Sequence, residues 1–164
     1  MREILLYKAI KHRPTKDSDY IIVDKTIVDD GDFDIFNKYR WFLHNDYVYY
    51  STSSICSFLH REIMNCPKDK MIDHINHDTL DNRKSNLRIV TNSQNQYNQK
   101  IRCGLSSKFK GVTRYALRNA WRATIRFKTK KIHIGYFKDE IEAAKAYNKA
   151  ALKYFGKYAT LNKL

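Results

Sequence analysis

No apolar run in this chain approaches the roughly 20 residues needed to span a bilayer. The N-terminal MREILLYKAIKHRPTK meets lysine and histidine after a run too short for a signal peptide. Cysteine is scarce: Cys56, Cys66 and Cys103 form no CxxC pair and are odd in number, which predicts neither a disulfide framework nor a thiolate zinc site. There is no fixed-period repeat and no low-complexity tract. Acid is the most unevenly missing component. Residues 99–164 hold 3 Asp/Glu against 17 Lys/Arg, whereas residues 1–98 hold 14 of each. These absences exclude membrane-spanning, disulfide-stapled and fibrous classes, and they predict a soluble, intracellular (cytoplasmic) protein with no membrane partner.

What is present is a 164-residue chain of net charge +14, long enough for one domain or two small ones. A basic excess concentrated in two fifths of a sequence is the footprint of a surface that meets a polyanion, most often nucleic acid. The charge break coincides with QKIRCGLSSK, residues 99–108, which carries Gly104 and two serines and no hydrophobic periodicity. That predicts two domains, 1–98 and 108–164, with a linker over 99–107.

In the first half, YIIVDKTIV (20–28) and DYVYYSTS (46–53) have strand composition. Between them Asp29, Asp30 and Asp32 surround Gly31 ahead of FDIFNKYRWF, which predicts a short helix with an acidic N-terminal cap. SFLHREIM (57–64) reads as the start of a helix that brings His60 and Arg61 toward the next segment. In the second half, residues 111–137 read as three short strands. WRATIRF sets Trp121, Ala123, Ile125 and Phe127 on one face and Arg122, Thr124, Arg126 and Lys128 on the other, so one face is core and the other cationic. Alanines 143, 146, 150 and 151 recur with Tyr147 and Tyr154 at helical spacing after Asp139, and Gly156 is the expected stop.

The segment DHINHDTLDNRKSN (73–86) packs two histidines, three aspartates and three asparagines between two apolar runs. MIDH (71–74) and NLRIV (86–90) are strand candidates, and TNSQNQYNQK (91–100) follows as a helix capped by Thr91 or Asn92. Strand, loop, strand and helix with histidine and oxygen donors suit phosphodiester hydrolysis, which needs a base for water and a hard cation for the phosphate. Mg²⁺ keeps several waters and takes only one or two protein oxygens, so a single Asp with a single Asn is sufficient.

DHINHDTLDNRKSNLRIVT, with LHREIM upstream and QNQYN downstream, resembles the His-Asn-His (HNH) endonucleases of the ββα-metal superfamily, particularly phage and intron-encoded homing endonucleases. The match covers about residues 57–98. The resemblance implies that His74 is the general base, that Asp73 and Asn95 are metal ligands, and that Asn86 braces the loop and keeps the histidine oriented. Asn98, one helical turn on, is a rival ligand. Since neighbours on a strand point to opposite faces, Asp73 and His74 can serve one site only where the strand twists or ends. His77 reads as an exposed loop residue, and His60 as a packing or phosphate contact.

Residues 106–162, with K-G-V, W-x-A-x-I-R, I-G-x-F, A-A-x-A-Y and a closing A-x-L-N, resemble the Apetala and ethylene-response-factor type of DNA-binding domain. That family lays a three-stranded sheet in the major groove with a helix behind it. By that resemblance Lys110, Thr113, Tyr115, Thr124, Arg126, Lys131, His133 and Tyr136 face DNA. Arg114, Arg118 and Arg122 join them on charge alone, and Lys128 through its place on the cationic face. Thr124 and His133 stand where Glu and Trp are common, so the plant target sequence does not transfer.

The expected fold is α+β: an N-terminal ββα-metal domain with a β-rich extension, then a small three-stranded antiparallel sheet packed on one helix. The expected function is that of a homing-type DNA endonuclease, phage-encoded by that resemblance. It would use one divalent metal, Mg²⁺ with Mn²⁺ as the substitute, and bind double-stranded DNA as a monomer. The alternative is a DNA-binding regulator that keeps the scaffold without cutting, and binding to structured RNA is a third reading.

Overall fold

Alternating inward and outward side chains along REILLYKA build a first strand, β1 (Arg2–Ala9), which buries Ile4 and Leu6 and turns Glu3 and Leu5 outward. The computed structural model describes residues 1–10, 16–52, 55–99 and 106–164, as an α+β chain of two units, Met1–Thr91 and Asn92–Leu164. Cys103 and most of the expected linker lie outside the described residues. No helix among them is long and apolar enough to cross a membrane.

In the first unit β1 lies between β2 (Tyr20–Val28), antiparallel, and β3 (Trp41–His44), parallel. β4 (Tyr47–Ser51) and β5 (Cys56–Phe58) complete a five-stranded sheet of order β2-β1-β3-β4-β5. Helix α1 (Asp30–Phe36) links β2 to β3, and α2 (Leu59–Ile63) follows β5. A separate antiparallel pair, β6 (Met71–His74) and β7 (Leu87–Val90), flanks the polar loop. Ile4, Leu6, Val28, Trp41, Val48, Leu59, Ile63, Ile72 and Leu87 form one core, so the β6–β7 pair and the five-stranded sheet share a single apolar interior.

One sequence expectation changes here. The helix expected through FDIFNKYRWF ends at Phe36, and Trp41 and Phe42 belong to β3. Trp41 is wholly buried, its indole Nε1 donates to the Phe36 carbonyl at 2.8 Å, and it pairs with Leu6 across the sheet. Burial of so large a ring, about 1.5–3 kcal/mol for a big apolar side chain, outweighs the weak helical preference of the segment. Asp29 is the N-cap residue of α1, yet its carboxylate accepts the Lys84 backbone N–H at 2.9 Å rather than closing the cap.

The second unit opens with α3 (Asn92–Asn98), whose Tyr97 ring stacks on Phe155 with centroids 4.1 Å apart. A three-stranded antiparallel sheet of order β10-β9-β8 follows: β8 (Val112–Tyr115), β9 (Ala120–Phe127) and β10 (Lys130–Phe137). Its inner face packs on α4 (Glu140–Phe155), through Val112, Ala123 and Ile125 against Ala143, Ala144, Tyr147 and Ala151. Small alanines let the helix approach the sheet closely. Asp139 caps α4 by accepting from the Glu142 N–H, and Gly156, at φ 54°, ends it. Gly111 has φ 76°, and a Cβ there would lie 2.1 Å from Tyr147 Cδ2, so this approach requires glycine.

Candidate functional site

β6 ends at His74, and the polar loop that follows is built from its own short side chains. The Asn86 amide oxygen accepts the Asn76 N–H at 3.0 Å, and its Nδ2 donates to the Asp81 carbonyl at 2.8 Å, closing the loop from its far end. The Asp78 N–H donates to Asn76 Oδ1, and the Leu80 N–H to Asp78 Oδ1. Asp81 accepts from Asn76 Nδ2 and takes a two-pronged bond from Arg83 at 2.7 and 2.6 Å, which holds its carboxyl below the usual range. So many short polar residues occur together because each satisfies backbone in a loop with little other structure. Turn chemistry does not account for His74 itself.

His74 is buried, with Nε2 3.2 Å from Asn82 Oδ1 and its ring edge-on to His60 at a centroid distance of 5.4 Å. Tyr47 flanks both histidines, at 5.4 Å from His60 and 6.1 Å from His74. Burial pushes the His74 imidazole below its ordinary pKa, while the bond to Asn82 and the charges of Asp73, Asp78 and Asp81 pull the other way. His60 is pushed down to about 3, first by burial and then by His74 and Arg61. Its Nδ1 is buried without a hydrogen-bond partner, and it stacks on Phe58. His60 therefore packs as a neutral imidazole against His74. His77, half-buried, holds a left-handed backbone at φ 63°, and its N–H donates to the His74 carbonyl.

Asp73, directly across from Arg88 in the β6–β7 register, is buried, and one carboxylate oxygen takes Arg88 Nε at 2.7 Å and Nη2 at 2.6 Å. Asn95 lies half-buried on α3. The rival Asn98 is buried, and its Oδ1 accepts the Thr160 hydroxyl at 2.7 Å. No group of three or more His, Cys, Asp and Glu that could cage a metal occurs among the described residues.

In the second unit, register puts Thr113, Tyr115, Arg122, Thr124, Arg126, Lys131, His133 and Tyr136 on the sheet face turned away from α4. The Arg118 guanidinium lies over Tyr136 at 4.7 Å and Arg122 over Tyr115 at 5.4 Å, while His133 and Tyr136 are 4.6 Å apart. Asp139, Glu140 and Glu142, the acids of this region, sit at the start of α4 rather than on a strand. Lys128 occupies the β9–β10 turn at φ 53° with its ammonium over Phe127. Two candidates stand elsewhere. Arg114 pairs in register with Trp121 on the α4 side, with its guanidinium over that ring and bonded to Asn119. Lys110 donates to the Tyr97 and Gln99 carbonyls at the end of α3, and burial pushes its ammonium down to about 8.

Sequence reasoning missed Asn82. It is wholly buried and bonded to His74, and the available signal was a short amide inside D-N-R between a turn and the second strand.

Residues 65–97, which run through β6, the loop, β7 and most of α3, match a family model described as HNH endonuclease. A protein of Acanthamoeba polyphaga mimivirus, named an uncharacterized HNH endonuclease, is 33% identical over 136 residues, 79% of this chain and 70% of the viral protein. No solved structure matches.

Proposed function

The chain belongs to the HNH endonuclease family, and from that premise we propose that it is a homing-type DNA endonuclease with His74 as general base. His74 takes a proton from the attacking water, and the oxygen of that water forms the new bond to phosphorus as the ester oxygen leaves. One observation carries this reading: a buried histidine, lowered in pKa by desolvation, ends a strand beside a buried aspartate and is oriented by an amide. A base kept neutral below its ordinary pKa is ready at physiological pH. Asn86 holds the loop that carries it.

Asp73 is the proposed anionic ligand of a divalent cation, Mg²⁺ or Mn²⁺. The resemblance assigns Asn95 as the second donor, and Asn98 is disfavoured because its amide oxygen already accepts from Thr160. Such a cation supplies charge neutralisation at the phosphate and leaving oxygen. Arg88 holds the Asp73 carboxylate in one orientation.

Residues 108–164 are the proposed DNA-binding domain of the Apetala and ethylene-response-factor type. It would present Thr113, Tyr115, Arg118, Arg122, Thr124, Arg126, Lys128, Lys131, His133 and Tyr136 to a duplex whose major groove admits a β-sheet. Lys110 and Arg114 are left out of that face on the contacts given above.

Supercoiled plasmid DNA incubated with the protein tests the reading. Nicking that requires Mg²⁺ or Mn²⁺ and stops with EDTA is expected, and mapping the ends shows whether one or both strands are cut. A protein that binds the plasmid yet never nicks it with either ion is a non-cleaving regulator instead.

A further inference from the structure

The hydrogen bond that orients His74 continues beyond Asn82. Asn82 Nδ2 donates to the Thr26 hydroxyl at 2.8 Å and to the Thr79 carbonyl at 3.1 Å. Thr26, wholly buried on β2, donates its one hydroxyl hydrogen to the Leu80 carbonyl at 2.7 Å. A carbonyl can only accept, so the Thr26 hydrogen points at Leu80 and its lone pair at Asn82. Both neighbours of the Asn82 nitrogen are thus acceptors. Turning the amide by half a rotation would set its oxygen against two other oxygens. The oxygen therefore faces His74, and an acceptor there requires the ring hydrogen on Nε2, which puts the basic lone pair on Nδ1.

We propose that Thr26, which lies outside the matched segment 65–97, is a positioning residue that sets the tautomer of His74 through Asn82. The proposal rests on His74 being the general base, since only a base is harmed by presenting N–H where its lone pair is needed. Backbone bonds join β2 to the polar loop independently of the Thr26 side chain. The Ile27 N–H donates to the Leu80 carbonyl and the Asn82 N–H to the Ile27 carbonyl, both at 2.8 Å, and Ile27 bridges to Asp81. These bonds do not involve the Thr26 side chain. Replacing that side chain with an isosteric apolar one keeps the scaffold and removes only the hydroxyl.

The test compares wild type, Thr26→Val and Thr26→Ser as ¹⁵N-labelled full-length proteins. Long-range ¹H–¹⁵N correlation spectra near neutral pH report the His74 tautomer directly. Wild type is expected to show the Nε2–H form, and Thr26→Val an increased share of Nδ1–H. In a Ser-His-Asp triad the wrong tautomer lowers kcat about 10⁴-fold. Here one of two locks is lost, so kcat for Mn²⁺-dependent plasmid nicking should fall about tenfold or more, with KM within about twofold. Thr26→Ser, which keeps the hydroxyl, should restore both the spectrum and kcat. A wild-type spectrum showing Nδ1–H overturns the proposal even if Thr26→Val does not fold. So does a Thr26→Val protein that loses kcat with an unchanged tautomer, or that keeps both unchanged. His74→Ala in the same assay separates this from the parent reading. If that variant still nicks, the base assignment fails. If it is inactive while Thr26→Val is unaffected, only the relay fails.

Discussion

The two units use their cations in opposite ways. In Met1–Thr91 the 14 Lys/Arg are matched by 14 Asp/Glu, and several are tied to carboxylates that shape the loop: Arg88 to Asp73, Arg83 to Asp81, and Lys84 to Asp32. In Asn92–Leu164 17 Lys/Arg face 3 acids, and those acids sit at the start of α4. Charge in the first unit is internal and structural. In the second, Arg122, Arg126 and Lys131 stand on a sheet face among tyrosines and a histidine, on strands that carry no acidic residue, and Lys145, Lys149 and Lys153 lie on α4. Net charge alone, +14 for the chain, conceals this division.

Salt gives the largest effect with which to break the comparison. If the second unit contacts about six phosphates, affinity for DNA should fall roughly a thousandfold between 50 and 200 mM salt. A flat binding isotherm series would remove the electrostatic role of that face. The counterpart in the first unit is Arg88→Met, which removes the guanidinium from the buried pair with Asp73. Urea denaturation should show a loss of about 3 kcal/mol, and no loss would mean the pair is not structural.

Acid sharpens the same contrast. The folded-state pKa of His60 is depressed to about 3, so below its ordinary value of 6.5 the unfolded chain binds a proton that the folded one refuses. That contribution to stability is complete above 6.5 and falls by about 1.4 kcal/mol per pH unit as the pH drops toward 3. His60→Phe should flatten this slope in melts taken across that range, and an unchanged slope would refute the burial argument. The smallest effect is that of Arg126→Ala. On an exposed face it should change stability by less than about 0.5 kcal/mol, while lowering the salt slope of DNA binding by about one.

Much of the first unit's chemistry could be read along the sequence because it is local. MIDH and NLRIV pair as adjacent strands, and Asn86 bonds to Asn76 and Asp81 within the same loop. Side-chain alternation likewise assigned the outward face of β9, since a strand's period is fixed. What escaped depended on contacts distant in sequence. Nothing near Asn82 reveals that Thr26, 56 residues earlier, fixes its amide. Trp41 became a strand residue because of Leu6, and Arg114, assigned outward on charge, and Lys110, assigned outward by resemblance, are held elsewhere by a ring and by two carbonyls. Charge says that a side chain seeks a partner, not which partner it finds.

Cleavage and grip measured separately on one duplex give the most direct test that the proton acceptor lies in the first unit and the main DNA contacts in the second. For His74→Ala we expect the single-turnover cleavage rate to fall about a thousandfold, with Kd unchanged. The triple replacement of Arg122, Arg126 and Lys131 by Ala should instead weaken Kd and leave the rate at saturating protein intact. Cleavage by His74→Ala at close to the wild-type rate, with Mg²⁺ or Mn²⁺ present, would contradict the assignment.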